Sequence, residues 1–345
     1  MGTKITDLLE TKQLNIEDLR GKIIVVDAFN QLYMFLSSIR QPDGSLLQDS
    51  HGNVTSHLNG LFYRFTKLMQ YDIKFIFVFD GKAPELKLKE RERRSSLKHD
   101  AELKYAKAAE EDNLDDMKKY ASRTSKLTKE MIDDVKELIS ALGMPVVQAP
   151  SEGEAQAAFM VKSKDAYASL SQDADSLIFG CSLVVKNLTL SGRKKLPNKL
   201  SYDSITPELI SLADTLKTLD ITLDQLIVLA MLTGTDYNIG GIKGIGPKTA
   251  LKLVKEYGDG VENFDKLFSE NKWSEHFEYG WKEVFDVIKH TKVTTDYDIK
   301  FRDVNDDLVV DVLCAKHDFS EERTRAVLEK LHKRPAAQKG LGEYF

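Results

Sequence analysis

Seven carboxylates stand at points in this chain where folding could bring them together. Asp27 closes an apolar, β-branched run over residues 21–28, and Asp80 follows another over residues 73–79. Asp173 and Asp175 follow a further run in Ser-Gln-Asp-Ala-Asp. Glu152 and Glu154 lie in Ser-Glu-Gly-Glu at the head of a helical stretch, and Asp236 follows the apolar helical segment 224–233 in Gly-Thr-Asp-Tyr. Parallel sheets place ligand sites just beyond the carboxyl ends of their strands, so acids ending separate strands converge on one edge. Crowded carboxylates repel unless protonated or neutralised by a cation. Oxygen-only ligation selects hard divalent ions, Mg²⁺ with Mn²⁺ able to substitute, and Mg²⁺ works on phosphates. Two such ions roughly 4 Å apart activate a water and stabilise a leaving oxygen. The chemistry that follows is metal-assisted phosphodiester hydrolysis.

Each acid also has a purely structural explanation. Ser151 and Glu154 have capping-box spacing, Asp80-Gly81 is an ordinary turn pair, and Asp27 can cap the helix after it. Those explanations leave the shared placement at one sheet edge to coincidence.

The elements that must position the acids are legible as periodicities. Strands are expected over 21–28, 73–79, 144–148, 166–171 and 182–188. Helices are expected over 29–40, with Leu32, Phe35, Leu36 and Ile39 on one face, and over 151–164. Alternation of this kind implies an α/β fold, a mostly parallel central sheet with helices on both faces. Residues 82–125 are rich in Lys, Arg and Glu and poor in Val and Ile, which suits exposed helices. They read either as a solvated helical pair or as a mobile segment whose cations meet a polyanion. Residues 224–258 return to apolar helical spacing around a Gly-rich turn. Gly244-Ile245-Gly246, flanked by Lys243 and Lys248, reads as a helix-hairpin-helix turn. Glycines there let backbone N–H groups approach phosphate, and the next helix adds its dipole. Such contacts ignore base sequence. Arg91-Glu92-Arg93-Arg94 and Arg193-Lys194-Lys195 are further candidate phosphate contacts. The chain divides into one nuclease-like domain over 1–332 and a short tail over 333–345.

Bulk properties bound the alternatives. Hydrophobic residues make up 42% and charged residues 30%, so a folded core is expected rather than wholesale disorder. The formal charge of −5 argues weakly against a polyanionic partner, but a cluster of acidic ligands lowers the total while basic patches remain free to bind. Cys181 and Cys314 have no disulfide or zinc spacing. No apolar run is long enough to span a membrane, so no membrane association is expected. The expected location is intracellular.

At this point the residues resemble the flap endonuclease family, most closely its archaeal members. The matching stretches are Val-Asp-Ala-Phe-Asn-Gln-Leu-Tyr at 26–33, Thr-Ser-His-Leu-Asn-Gly-Leu-Phe-Tyr-Arg at 55–64 and Val-Phe-Asp-Gly-Lys-Ala-Pro at 78–84. Gln-Ala-Pro-Ser-Glu-Gly-Glu at 148–154, Ser-Gln-Asp-Ala-Asp-Ser-Leu at 171–177 and Gly-Thr-Asp-Tyr-Asn to Gly-Ile-Gly-Pro-Lys at 234–248 continue the match in order. The resemblance implies that Asp27, Asp80, Glu152, Glu154, Asp173, Asp175 and Asp236 hold two Mg²⁺ ions. It implies a nuclease that cuts branched DNA at the base of a 5′ flap, with 5′–3′ exonuclease activity, in Okazaki fragment maturation and repair. Lys87 and Arg94 match basic residues at the foot of a helical arch, over about 82–125, that steady the scissile phosphate. Tyr33 matches a base-stacking tyrosine, Gly2 lies near the active site in the family, and Phe319 matches a residue near a pocket for a one-nucleotide 3′ flap. Gly241, Ile242 and Ile245 match carbonyls that bind a monovalent cation, K⁺, at the hairpin turn. Ala174 stands where relatives often carry an aromatic, and a packing effect only is expected.

The tail resembles the box that docks on sliding clamps (PCNA). Gln338, Leu341, Tyr344 and Phe345 have its spacing, and one helical turn brings the last three onto one face. No basic extension follows Phe345, where eukaryotic members carry one, so an archaeal-type protein is expected, cytoplasmic if archaeal; a monomer is expected as well. Two other readings compete. A ribonuclease on a similar acid-edged domain would lack the arch and the hairpin turn. A non-catalytic DNA-binding scaffold would have no use for so many acids facing phosphate.

Overall fold

A computed structural model describes residues 4–333 apart from 112, 114, 115, 117–119, 121–123, 125, 174, 191 and 196–201. For 89, 91, 109, 192–195 and 202–204 the backbone alone is described. Gly2, Ala174 and the tail residues Gln338, Leu341, Tyr344 and Phe345 therefore lie outside the described residues.

The strands are β1 (Lys12–Gln13), β2 (Ile23–Asp27), β3 (Lys74–Phe79), β4 (Val146–Gln148), β5 (Ala168–Leu170), β6 (Leu183–Lys186), β7 (Gly192–Lys195), β8 (Tyr202–Ile205) and β9 (Glu208–Ser211). Among the described residues, seven of them form one sheet in the order β1-β9-β6-β5-β2-β3-β4. From β6 to β4 every neighbouring pair is parallel, whereas β9 and β1 extend the β6 edge antiparallel. The five parallel strands are those expected from the sequence, each trimmed by one to three residues at its ends. The antiparallel edge was not expected, because β1 is two residues long and exposed and carries no readable alternation.

Side chains alternate across the strands, and the core divides accordingly. Val25, Ile76, Val78 and Val147 face one layer, containing α5 (Gly153–Lys162) and α8 (Leu223–Thr233). Ile24, Val26, Phe75, Phe77 and Phe79 face the other, containing α1 (Ala28–Ser38), α2 (Ser56–Met69), α4 (Lys129–Ala141) and α14 (Glu321–His332). Helix α8 is buried from Gln225 to Thr233 without interruption, as befits a helix that is apolar all round. In α1 three residues of the expected face, Leu32, Phe35 and Leu36, are fully buried, whereas Ile39 follows the helix as its C-cap in extended backbone and is partly buried. The helix after the hairpin turn is α9 (Pro247–Tyr257), packed against α8.

The charged region is different. Helix α3 (Leu88–Glu110) runs for 23 residues, about 35 Å at the standard rise. Leu97 and Leu103 on it are half exposed or more. Ten residues between 112 and 125, in the region expected to form the arch, lie outside the described residues. Residues 193–195, read as candidate phosphate contacts, have strand backbone in β7, paired antiparallel with β8.

Candidate active site

Register decides where the acids go. In the parallel ladder Val26 lies opposite Phe77 and Leu170, and Phe79 opposite Gln148. The carboxyl ends of β2, β3, β4 and β5 are thus level, and residues that follow them share one edge. Asp27 caps α1, accepting the Asn30 N–H at 3.0 Å. Capping and site membership are therefore compatible, since the same side chain does both. The Asn30 amide then donates to Asp173 at 3.3 Å, linking the ends of β2 and β5.

Asp80 accepts the Gly153 N–H at 2.6 Å, which joins the end of β3 to the start of α5. A Cβ on Gly153 would lie 2.6 Å from the Asp80 Oδ1, so glycine is needed for this approach. The expected capping box is not formed. Glu152, rather than Ser151, is the N-cap residue of α5, with no side-chain cap bond, and Glu154 accepts from the Ser171 hydroxyl at 3.2 Å. The helix start has given up its own cap, and its acids turn into the pocket instead. Asp236 is held by a buried loop after α8. The Thr235 hydroxyl donates to Asn238 at 2.6 Å, and the Asn238 amide donates to the Met231 carbonyl at 2.6 Å.

Electrostatics mark this as one site. Burial, and after it the neighbouring Asp80 charge, pushes Asp27 up to about 7. Burial, then Asp175 and Asp27, raises Glu154 well above the ordinary carboxyl range. Asp175 and Glu152 are also buried. Folding has thus placed Asp27 and Glu154 where they resist ionisation, beside further carboxyl oxygens and with no sulfur or imidazole among the candidate ligands. That donor chemistry fits hard divalent cations. Among the described residues no three acidic, histidine or cysteine side chains already stand close enough to grip one ion together.

Cations from the arch foot reach into the same acids. Lys87 pairs with Glu152, and with Asp236 at 3.4 Å. Burial opposes its charge, but Tyr237, Glu152 and Asp236 outweigh that and raise its pKa. Arg94 donates to Asp236 at 2.6 Å and to Glu90 at 2.6 Å. Glu90, 4% exposed, also holds Arg93 through two hydrogen bonds of 2.7 Å. Sequence reasoning missed Glu90, because one acid among many in a charged helix carries no local signal. Tyr33 is 39% exposed rather than core, and the Lys98 ammonium lies 4.7 Å from its ring centroid.

The hairpin turn is present, and Gly246 is the N-cap of α9 with Pro247 at the first helical position. Lys243 and Lys248 are exposed beside it. Gly244 takes φ +89°, and Gly241 takes φ +62° with its Cα packed so near the Leu232 carbonyl that a Cβ would lie 2.4 Å from it. The Ile242 N–H donates to Leu232 at 2.9 Å, while its carbonyl accepts from Ile245 at 3.1 Å. Phe319 lies apart from the acids, half-buried against the α2 and α14 layer. Beside it His317 stands between Asp49 at 3.3 Å and Asp134 at 3.2 Å.

The chain matches two sequence families, XPG N-terminal domain over residues 3–101 and XPG I-region over 143–236. Flap endonuclease 1 of Thermococcus onnurineus is 47% identical over 339 residues, covering 98% of this chain and 97% of that protein. Flap endonuclease 1 of Pyrococcus furiosus is 46% identical over 333 residues, covering 96% and 95%. The solved structure of flap endonuclease-1 from Methanococcus jannaschii has a TM-score of 0.74 at 38% identity, covering 96% of this chain and 98% of that one. The catalytic core of Rad2 in complex with DNA substrate shares the fold, with a TM-score of 0.70 at 23% identity over 96% of this chain and 100% of that one. With the acids and the arch foot placed as described, these likenesses along its whole length make the chain a member of the flap endonuclease family, a structure-specific 5′ flap nuclease.

Proposed function

We propose that the seven acids hold two divalent cations, Mg²⁺ or Mn²⁺, and that the chain cuts branched DNA at the base of a 5′ flap. The observation that carries this is that Lys87 and Arg94 from the arch foot pair with Glu152 and Asp236, acids that share the pocket with the strand-end Asp27 and Asp80. Bound there, the ions would activate the attacking water and neutralise the leaving oxygen. The chain's own groups do the rest. Asp27, Asp80, Glu152, Glu154, Asp173, Asp175 and Asp236 supply the ligand oxygens. Lys87 and Arg94 face the scissile phosphate and stabilise the charge that grows there. Tyr33, exposed at the site's margin, offers a face on which a base stacks. The same site working from a 5′ end gives 5′–3′ exonuclease action.

Duplex is held away from the chemistry. Gly244, Gly246 and the start of α9 offer N–H groups to phosphate, with Lys243 and Lys248 beside them. Carbonyls of Gly241, Ile242 and Ile245 bind K⁺ and brace the turn. Phe319 borders a pocket for the 3′ flap, and Gly2 sits near the scissile bond. Residues 333–345 form a tail whose Gln338, Leu341, Tyr344 and Phe345 dock on a sliding clamp, while 1–332 act as one domain in a cytoplasmic monomer. No helix among the described residues is long and apolar enough to cross a membrane.

The test is a cleavage comparison of double-flap, single-flap, duplex and RNA substrates, with and without EDTA. Cleavage of double-flap DNA near the flap base, abolished by EDTA, is expected. EDTA-resistant cutting, or a preference for RNA, would reject the reading.

A further inference from the structure

The role given to Lys87 needs an ammonium that stays in place. Its side chain is 17% exposed, at the end of the short turn Glu85–Lys87 that leads into α3. A lysine stem is flexible. Glu152 and Asp236 hold the charge, but both belong to the acids assigned to divalent cations. An oxygen shared with such a cation is a weaker partner for the ammonium. The remaining contact is a neutral one. The Lys87 Nζ lies 5.2 Å from the ring centroid of Tyr237, within the range of a cation–π interaction.

Tyr237 is built as a fixed surface. It is 3% exposed, and its backbone is anchored on both sides. Its N–H donates to the Thr235 hydroxyl at 3.1 Å, and its carbonyl accepts from the Tyr279 hydroxyl at 2.8 Å. Its own buried hydroxyl makes no hydrogen bond among the described residues, and the ring is the part that contacts the Lys87 ammonium.

We propose that Tyr237 is the positioning residue of Lys87: its ring holds the ammonium over the acid pocket while Glu152 and Asp236 serve the divalent cations. This rests on the flap-cleavage reading above. The ring contact is not shared with the cations, so it is the one that persists when the carboxylates are engaged. A desolvated cation–π contact is worth about 2 kcal/mol, roughly a 30-fold change in rate when converted at about 1.4 kcal/mol per tenfold.

The experiment is a double-mutant cycle read by single-turnover cleavage of flap DNA, with a spectroscopic arm that needs no DNA. Tyr237→Leu is expected to slow cleavage about 10- to 30-fold, with flap-DNA affinity changed less than about twofold. In the Lys87→Ala background the same substitution should cost no more than about twofold, because its target is gone. Tyr237→Phe should recover most of the rate that Leu loses. Tyr279→Phe, which leaves the core intact, should produce a smaller loss that also vanishes in the Lys87→Ala background. In reductively ¹³C-methylated protein, the Lys87 methyl signal should show a ring-current shift that Phe keeps and Leu removes. Multiplying losses in the cycle, a Phe variant as slow as Leu, or a Lys87 signal indifferent to Tyr237→Leu would each overturn the proposal. If instead Lys87→Ala cuts at the parental rate, the role given to Lys87 at the phosphate fails, while the methyl signal still decides whether Tyr237 holds it.

Discussion

The sheet edge and the arch foot supply groups to one pocket but hold them by different forces. Asp27 ends a strand whose Ile24, Val25 and Val26 are fully buried, and it is fixed by ladder register and a helix cap. Lys87 and Arg94 come from a segment with an exposed surface, and their described contacts in the pocket are ion pairs and a ring. An acid on the edge cannot move without breaking core, whereas a cation at the foot moves by exchanging one charged partner for another. The division suits the task. Ligands for a metal must be preorganised, while groups that meet a flexible flap must yield to it and then close.

The comparison can be broken most decisively at the edge. Asp173→Ala should abolish flap cleavage, a loss of at least about 10³-fold by analogy with removal of a key electrostatic group, while branched DNA still binds. Cutting at the parental rate would remove Asp173 from the metal set. At the foot, Lys87→Ala and Arg94→Ala should each slow single-turnover cleavage about 10²- to 10³-fold. Their melting temperatures should stay near the parental value, since neither side chain supports the core. A large drop in melting temperature would place the foot with the rigid half.

Gly153→Ala tests how tightly the edge is built. The added methyl meets Asp80, so a destabilisation of about 1–3 kcal/mol is expected from overpacking, together with weaker divalent-ion binding. Calorimetry reads both, and an unperturbed variant would mean that the β3–α5 junction is looser than drawn. Acid should also find the buried half first. Burial, and then the charge of His317, lowers His57 to about 3, against about 6.5 in an unfolded chain. Between those values the unfolded chain binds a proton that the folded one refuses, so the His57 contribution to stability falls as pH drops from about 6.5 toward 3. Asp27 and Glu154, raised in the fold, contribute the opposite slope. The His57 contribution is on the order of 5 kcal/mol. Denaturant titrations of the parental chain and of His57→Leu across pH should differ by this slope. The smallest effect on basal cleavage is expected from deleting residues 338–345, which should remove stimulation by a sliding clamp alone. Equal loss of basal and stimulated rates would contradict a separate docking tail.

Much of the edge was legible before folding. Runs such as Ile-Ile-Val-Val-Asp and Phe-Ile-Phe-Val-Phe announce buried parallel strands, and their terminal acids stand where such strands open to a ligand. The glycine in Ser-Glu-Gly-Glu and the Thr-Asp-Tyr-Asn loop were visible as motifs, though not as the contacts they make with Asp80 and Met231. Less was readable at the foot. Glu90, which gathers Arg93 and Arg94, looks like any acid in a solvated helix.

What the sequence by itself determined is therefore the set of elements, the acids at their ends and the family, because strand and helix periods are local and a strand's last residue is known from its neighbours alone. Only the tertiary structure decided that Glu152 and not Ser151 begins α5, that β9 and β1 close the β6 edge antiparallel, and that Lys87 rests on Tyr237. Those are choices among distant partners. They are settled by packing and charge between segments as far apart in the chain as Lys12 and Leu209, and no local pattern records them.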